Sequence, residues 1–327
     1  EGFPRNMAET EEAFPVLPIT SPETLKACAS LATRSSDVFV ASYPKSGTTW
    51  MQHIVHTLVT NDDSPLSHVS EACPFFEIDR SWASDELAPS VRVSHDRLGR
   101  RMFNTHLRYG MMPGCGGDGD GEARYIYLTR NGRDACVSFF HHLSHMAVED
   151  GGYTGTFDQF VVDFTSGALP YGSWSAHIKA WMGCRATDDP RVLFLSYEDL
   201  KVDLRGAVTK VSTHLGLPHS AERIDQLLPK FSFQWMRANE AQFNPKSVRW
   251  TECSAAQVLP TLDESAAGGA AADAPGAGGG DGFHFIRRGA VGEGKARFTP
   301  EQDELFNAMV RRTFPQHLPD YLSKILR

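Results

Sequence analysis

The sequence has little that would point to a membrane, a secreted framework or a nucleic-acid partner. No stretch approaches the roughly 18 consecutive apolar residues that a membrane-spanning helix requires. The six cysteines show no C-x-x-C pair and no regular spacing, which predicts reduced thiols in a cytoplasmic compartment. Positive charge is also scarce, because 32 Lys and Arg face 40 Asp and Glu for a net charge of −8. A chain with this balance is not expected to coat nucleic acid, and no membrane partner is expected either.

The composition nevertheless predicts a globular protein, with 41% hydrophobic residues and 22% charged residues. The first residues lack the basic and apolar regions of a secretory signal, and we expect residues 1–20 to form a partly disordered N-terminal segment. Residues 21–327 are expected to form a single domain. Within it, a segment at about 263–282 is nearly all Ala, Gly, Asp and Pro, which predicts a low-complexity loop insertion.

Short strand-like runs alternate with stretches of helical spacing. Residues 37–43, 125–129 and 192–196 are apolar runs rich in β-forming residues, and residues 102–105 form a weaker fourth. Strands that alternate with helices indicate an α/β fold with a central parallel sheet flanked by helices on both sides. Two helix starts are also marked, because Ser21 and Thr299 each precede a proline, and Gln302 completes a capping box with Thr299.

The loop at residues 44–49 has the features of an anion site. It connects the first predicted strand to a helix, and its glycine allows a ligand to approach the backbone closely. The free N–H groups at the helix start and the charge of Lys45 favour phosphate. The lysine precedes Gly47, whereas the P-loop of nucleotide triphosphatases places it after the glycine. An ordinary strand-to-helix turn with a surface lysine is the alternative interpretation.

Residues 43–50, Y-P-K-S-G-T-T-W, resemble the 5′-phosphosulfate-binding signature of the cytosolic sulfotransferases. These enzymes transfer a sulfuryl group from 3′-phosphoadenosine 5′-phosphosulfate (PAPS) to a hydroxyl or amine of a small acceptor. Further family signatures are resembled, in the same order along the chain, by residues 127–138, 171–181, 195–200 and 285–295. The resemblance runs from about residue 20 to the end and implies a P-loop-like, three-layer fold similar to that of nucleotide kinases.

The resemblance also implies which residues bind PAPS and its product, adenosine 3′,5′-bisphosphate. Arg130 and Ser138 would bind the 3′-phosphate, while Trp50 and Tyr197 would contact the adenine. The complete implied set is Lys45, Ser46, Gly47, Thr48, Thr49, Trp50, Arg130, Ser138, Tyr197, Ser232, Phe233, Met236, Arg287, Arg288 and Gly289. No metal is required by this scheme. The nearest approach to a ligand set consists of His141, His142 and His145.

Catalysis would depend on a base and on a positive charge at the leaving oxygen. His106, in N-T-H-L, resembles the histidine of the family's K-T-H-L segment, and a histidine suits general-base work near neutral pH. Lys45 would neutralise the leaving phosphate, and Ser138 would interact with Lys45 and restrain wasteful hydrolysis. The residues expected to contact the acceptor are Asn104, Thr105, His106, Phe76 and Phe140, with Phe75 and Phe139 as further positions.

The chain departs from the family pattern at three positions. Asn104 replaces the family's lysine, which weakens positive charge near the acceptor. Gly294 replaces a tryptophan of the C-terminal loop, which predicts a looser cover over the cofactor. Phe231 stands where the family often has threonine.

Other functions stay open at this stage. A P-loop nucleotide kinase would need Mg²⁺ and a lysine after the glycine, and a non-catalytic adenosine-phosphate binder would lack His106 or Lys45. A carbohydrate sulfotransferase relative would carry a membrane anchor. The family's dimer motif is matched by Lys295, Thr299 and Glu304, but Pro300 replaces its valine, so we expect a monomer or a weak homodimer.

Overall fold

The computed structural model describes residues 14–63, 65–115, 122–185, 189–217, 219–254, 257, 259 and 284–326. The strands of this part of the chain are β1 Val38–Ser42, β2 Trp82–Ala83, β3 Glu86–Leu87, β4 Met102–Thr105, β5 Arg124–Thr129 and β6 Val192–Ser196. The first α-helices are α1 Pro22–Ser30, α2 Thr48–Val59, α3 Val69–Ala72, α4 Pro89–Leu98, α5 Gly132–Ser144, α6 Phe157–Ser166 and α7 Trp174–Arg185. The remaining α-helices are α8 Tyr197–Val202, α9 Leu204–His214, α10 Ala221–Leu227, α11 Phe233–Ala238, α12 Glu293–Arg297, α13 Pro300–Thr313 and α14 Asp320–Ile325.

Four parallel strands form the central sheet, in the spatial order β4-β1-β5-β6. The short strands β2 and β3 make a separate antiparallel pair. The predicted strands at 102–105 and 192–196 have the observed bounds. The strand predicted at 37–43 is one residue shorter at each end, and the one predicted at 125–129 begins one residue earlier. The expected α/β class with a central parallel sheet is confirmed.

Helices cover both faces of the sheet because successive strand side chains point to opposite sides. In β1, Val38 and Val40 join a core with α2, α9 and α10, while Phe39 and Ala41 join a larger core with α5, α6 and α7. All five residues of β1 are buried. Burial on both faces explains why this strand is a continuous apolar run rather than an alternating one.

The two helix starts marked in the sequence are confirmed. The Ser21 hydroxyl accepts a hydrogen bond from the Thr24 N–H before α1. At α13 the Thr299 hydroxyl and the Gln302 side chain each accept from the other residue's backbone N–H, which completes the capping box. Such caps satisfy backbone donors that a helix start leaves open.

Part of the expected N-terminal segment packs on the domain. Leu17 is buried in the larger core, and the Pro15 carbonyl accepts a hydrogen bond from the Tyr171 N–H at 2.6 Å. Residues 1–13 and the whole low-complexity segment at about 263–282 lie outside the described residues. The single-domain organisation stays a prediction.

A predicted site residue lies at or just after the carboxyl end of each central strand. Lys45 comes three residues after β1, and His106, Arg130 and Tyr197 directly follow β4, β5 and β6. The carboxyl ends of parallel strands share one edge of the sheet, where open α/β folds bind ligands. The topology therefore brings these four residues to the same edge.

Candidate active site

A cavity of about 840 Å³ opens at this edge of the sheet. Its wall contains most of the residues that the sequence singles out. They are Lys45, Gly47, Thr48, Thr49, Trp50, Asn104, His106, Arg130, Ser138, Tyr197, Phe233, Met236, Arg287, Arg288 and Gly289.

Two predicted acceptor contacts lie in the core instead. Phe76 is fully buried against Phe39 and Phe103, and Phe140 is fully buried against Phe157 and Phe160. Neither side chain reaches the cavity, so the expectation that they contact the acceptor is wrong on geometry. Phe139 is also buried in the larger core. Phe75 lines the cavity, with its ring centroid 5.3 Å from that of His106.

Three further predicted residues support the cavity from behind. Thr105 is buried, and its hydroxyl accepts from the Leu107 N–H at 3.1 Å. Ser232 caps α11 by accepting from the Trp235 N–H. Ser46 is fully buried, and its hydroxyl oxygen has no hydrogen-bond partner among the described residues. None of the three lines the cavity wall.

The loop after β1 has the backbone geometry of a tight anion cradle. Lys45 and Gly47 have positive φ angles of 65° and 99°. A lysine in this region is strained, and such strain occurs preferentially at functional sites. A side-chain carbon on Gly47 would lie 2.9 Å from the Tyr197 ring. The glycine is therefore required both by the turn and by the close contact with Tyr197, the first residue of α8.

Arg130 connects three parts of the site. Its guanidinium donates to the Lys45 carbonyl at 3.0 Å and to the Ala290 carbonyl at 3.1 Å, and it lies 4.6 Å from the centroid of the Tyr197 ring. Its Nε is buried without a hydrogen-bond partner among the described residues. The ring centroids of Trp50 and Tyr197 lie 5.6 Å apart, and the ring planes make an angle of 68°. Both residues line the cavity and give its wall an aromatic surface.

The charges of the site fit an anionic ligand. Burial lowers the pKa of Lys45, and the nearby charges of Arg130 and Arg287 lower it further, to about 7. Arg287 has a carboxylate partner in Glu293. Crowded cations together with the unpartnered Nε of Arg130 are what a bound phosphate group would satisfy. The residues present therefore fit a nucleotide that carries phosphate groups.

His106 is held in the form that a general base needs. Its Nδ1 lies 2.8 Å from the Ser42 carbonyl, which can only accept, so Nδ1 carries the proton and Nε2 keeps its lone pair. Burial lowers the pKa of His106 to about 4; the Ser42 bond opposes this effect and the Lys45 charge adds to it. The imidazole is therefore neutral at pH 7.

Residues that sequence reasoning missed hold His106 in place. Its backbone N–H donates to the buried Glu77 carboxyl at 2.6 Å. Its carbonyl accepts from His177 Nε2 at 2.9 Å, and His177 Nδ1 in turn accepts from the Tyr127 hydroxyl at 2.9 Å. Burial raises the pKa of Glu77 to about 8, although hydrogen bonds from His106 and Thr105 oppose it. A single acidic residue at the end of the apolar run 73–76 is the sequence signal for Glu77.

The expected contact between Ser138 and Lys45 is replaced by a different one. Ser138 lines the cavity, but the Lys45 ammonium lies 3.4 Å from Nδ1 of His142. Asn104, the substitute for the family's lysine, donates its side-chain amide to the Cys73 carbonyl at 2.8 Å. That bond ties the segment carrying Phe75 to β4.

The C-terminal loop is tightly docked, contrary to the expectation for Gly294. The backbone N–H groups of Gly292 and Gly294 donate to the two carboxylate oxygens of Asp134 at 2.8 and 2.6 Å. Glu293 is buried between Arg287 and Arg297. Burial alone would raise the pKa of Glu293, but hydrogen bonds and charge from the two arginines lower it to about 2.

We expect Gly294→Ala to destabilise the protein by about 1–3 kcal/mol, the usual cost of overpacking. The added carbon would lie 2.3 Å from the Arg133 carbonyl carbon and 2.5 Å from the Asp134 nitrogen. These atoms belong to the backbone of α5 and cannot move aside alone. Urea unfolding measures the change. The control is Gly183→Ala, at an exposed helical glycine with open space around its Cβ position, where we expect a slight gain in stability. Equal stability of both variants would contradict the docking.

Neither a metal cluster nor a membrane helix is seen in the described residues. No group of three or more His, Cys, Asp and Glu is placed to hold a metal ion there. Within the same residues, every helix is too short or too polar to cross a membrane.

Comparison with known proteins identifies the family. The sulfotransferase domain matches residues 35–258. Human sulfotransferase 1E1 is 35% identical over 209 residues, covering 63% of this chain and 68% of the relative. The 3-alpha-hydroxysteroid sulfotransferase of Cavia porcellus is 30% identical over 305 residues, covering 93% of this chain and 92% of the relative. The chain belongs to the sulfotransferase family.

The fold agrees with this assignment. The crystal structure of mouse sulfotransferase SULT7A1 complexed with PAP superimposes with a TM-score of 0.64 at 24% identity, covering 94% of this chain and 93% of that one. The chain is thus an enzyme of the class that transfers a sulfuryl group from PAPS to small acceptors. The assignment decides against the nucleotide kinase and the non-catalytic binder.

Proposed function

We propose that this sulfotransferase sulfates a hydroxyl group of a partly apolar small molecule, with His106 as the general base. The observation that carries the proposal is the fixed tautomer of His106. Its protonated Nδ1 points at the Ser42 carbonyl, and the residue lines the cavity together with Lys45. A hydroxyl proton can therefore pass to Nε2 as the acceptor oxygen attacks. An amine is the alternative acceptor group.

When bound, PAPS supplies an electrophilic sulfuryl group and a phosphate leaving group. The transfer is analogous to phosphoryl transfer, in which positioning and charge stabilisation do most of the catalysis. Lys45 would place a positive charge near the leaving phosphate oxygen as it gains the electron pair of the broken S–O bond. The loop 45–49 and Arg130, Ser138 and Arg288 would hold the phosphates. Trp50, Tyr197, Phe233 and Met236 would hold the adenine.

The apolar part of the cavity supports the acceptor class. Beside His106 its wall contains Leu17, Ile19, Phe75, Ile78, Met146 and Val248. Burying apolar surface there would contribute about 25 cal/mol for each Å² removed from water. Incubation with labelled PAPS and a panel of phenols, sterols, amines and sugars tests the proposal. We expect labelled phenol or sterol; transfer to sugars alone would contradict the acceptor class.

We expect Arg130→Ala to weaken binding of adenosine 3′,5′-bisphosphate by about 10- to 100-fold, because charge-assisted hydrogen bonds to phosphate are lost. Isothermal titration calorimetry measures the affinity. The matched control is Arg92→Ala, at an exposed arginine that forms an ion pair with the exposed Glu86. An affinity that matches the wild type in the Arg130 variant would show that the 3′-phosphate binds elsewhere.

Oligomeric state and location stay predictions. Lys295, Thr299 and Glu304 are exposed, as a dimer contact requires, and light scattering at micromolar concentration distinguishes a monomer from a weak homodimer. Fractionation of cells that express the chain tests the expected cytoplasmic location.

A further inference from the structure

Within the proposed function, one contact in the cavity has no role in the scheme above. His142 lies on α5, one helical turn after Ser138, and it lines the cavity beside Lys45. While Lys45 carries its proton, its ammonium can only donate, so Nδ1 of His142 must accept across the 3.4 Å that separates the two atoms. We propose that His142 is a positioning residue for Lys45 that holds the ammonium group in the cavity.

Aromatic neighbours fix the His142 ring in this role. Its centroid lies 5.1 Å from that of Trp250, with an angle of 74° between the ring planes. It lies 5.9 Å from that of Phe285, with an angle of 63° between the planes. The same Phe285 ring receives the Lys45 ammonium at 4.2 Å from its centroid. Lys45 therefore has two weak partners on the same side of the cavity, one an acceptor nitrogen and the other an aromatic face.

The charges around the pair explain why Lys45 needs such a partner. The charged groups that act on Lys45 are Arg130 and Arg287, both positive. His142 lies near the Lys45 ammonium and near three other histidines, His106, His141 and His145. Burial first, and then these groups, lower the pKa of His142 well below its usual value, so the ring is neutral at pH 7. Within the described residues Lys45 forms no ion pair with a carboxylate, and the neutral His142 ring offers its ammonium an acceptor nitrogen.

Two consequences separate this role from simple packing. A hydrogen bond to the charged form of Lys45 favours that form. Its loss should lower the proton affinity of Lys45 by about tenfold, the lower end of the range for bonds to charged groups. Because the ammonium is also held in position, its loss should reduce kcat by about three- to tenfold through misplacement.

A matched pair of variants tests the proposal. His142→Phe keeps a ring against Trp250 and Phe285 but removes the acceptor. His142→Asn removes the ring but can place a carbonyl oxygen near the position of Nδ1. His141→Phe, the same substitution at the preceding residue of the helix, is the control. Thermal unfolding shows whether each variant is folded.

The decisive measurement is the pH dependence of Lys45 acetylation by acetic anhydride in the ligand-free protein, quantified by peptide mass spectrometry. We expect the midpoint to fall by about one pH unit in His142→Phe, the equivalent of a tenfold loss. It should stay near the wild-type value in His142→Asn and in the control. An unchanged midpoint in His142→Phe would overturn the proposal, and so would an equal shift in His142→Asn.

Kinetics provide a second readout. We expect the lower kcat in His142→Phe to be largely restored in His142→Asn, with KM for PAPS changed less than kcat. Equal kcat in both variants would contradict positioning. The labelling result needs neither PAPS nor an acceptor. Failure of the acceptor panel would therefore count against the proposed function alone, and an unchanged midpoint against the role of His142 alone.

Discussion

His106→Ala is expected to lower kcat by about 10²–10⁴-fold with an alcohol or a weakly acidic phenol, the usual contribution of a general base. The substitution removes the Nε2 lone pair, so no base at this position accepts the proton of the acceptor hydroxyl. Affinity for adenosine 3′,5′-bisphosphate should change little, because the phosphate contacts proposed above belong to other segments. Initial rates and calorimetry measure the two effects separately.

The choice of acceptor separates a lost base from a damaged site. A strongly acidic phenol ionises without help, so the loss should be much smaller with it. The control is His317→Ala, at an exposed histidine outside the cavity, which should keep full activity. An equal loss with both acceptors would mean that the substitution disturbs the site in another way.

The pH behaviour of His106 gives an independent check. A histidine at its usual pKa would produce an ascending limb near pH 6.5, but the structure lowers the pKa of His106 to about 4. The base form therefore exists above that pH and is lost as pH falls through it. NMR titration of the ligand-free protein should show the His106 imidazole gaining its proton near pH 4. A midpoint above 6 would contradict the burial.

Lys45→Met is expected to lower kcat by about 10²–10³-fold, the loss seen when one stabilising donor is removed from a developing oxyanion. Methionine keeps the length of the side chain but removes its charge. Affinity for adenosine 3′,5′-bisphosphate should fall as well. The control is Lys179→Met, at an exposed lysine of α7 outside the cavity. A loss of affinity without a loss of kcat would assign Lys45 to binding alone.

The pKa of Lys45 adds a test with a definite sign. With a pKa of about 7, lowered from 10.5, Lys45 is a cation below pH 7 and loses its proton as pH rises above it. A bound phosphate favours the cation, so binding at pH 8 must take up protons. Affinity should therefore decline above pH 7. Calorimetry in two buffers of different ionisation enthalpy measures the uptake, which Lys45→Met should abolish.

The strands and the four residues that follow them could be predicted because each was marked locally by an apolar run and a motif. The spatial order of the strands could not, since it depends on contacts between distant segments. We expected Phe76 at the acceptor, but Phe75 is the residue that lines the cavity. Neighbouring residues in extended backbone point to opposite sides, and only the bridge between Phe75 and Asn104 fixes the side.

The tautomer of His106 and the docking of the C-terminal loop could not be predicted from the sequence either. The first depends on a backbone carbonyl, that of Ser42, which no residue type reveals. The second depends on a missing side chain at Gly294, which a comparison of motifs treats as a lost tryptophan rather than as a close approach to α5.

Contacts between residues far apart in the sequence also determine when the site can form during synthesis. Arg130 reaches the Ala290 carbonyl across 160 residues of sequence, and Asp134 reaches the Gly294 N–H across the same separation. Contacts of such long range form late because the loop between them must close first. A nascent chain can complete the four-stranded sheet once β6 has emerged. It cannot enclose a nucleotide until residue 294 has left the ribosome, so the newly made protein acquires its fold before it acquires its activity.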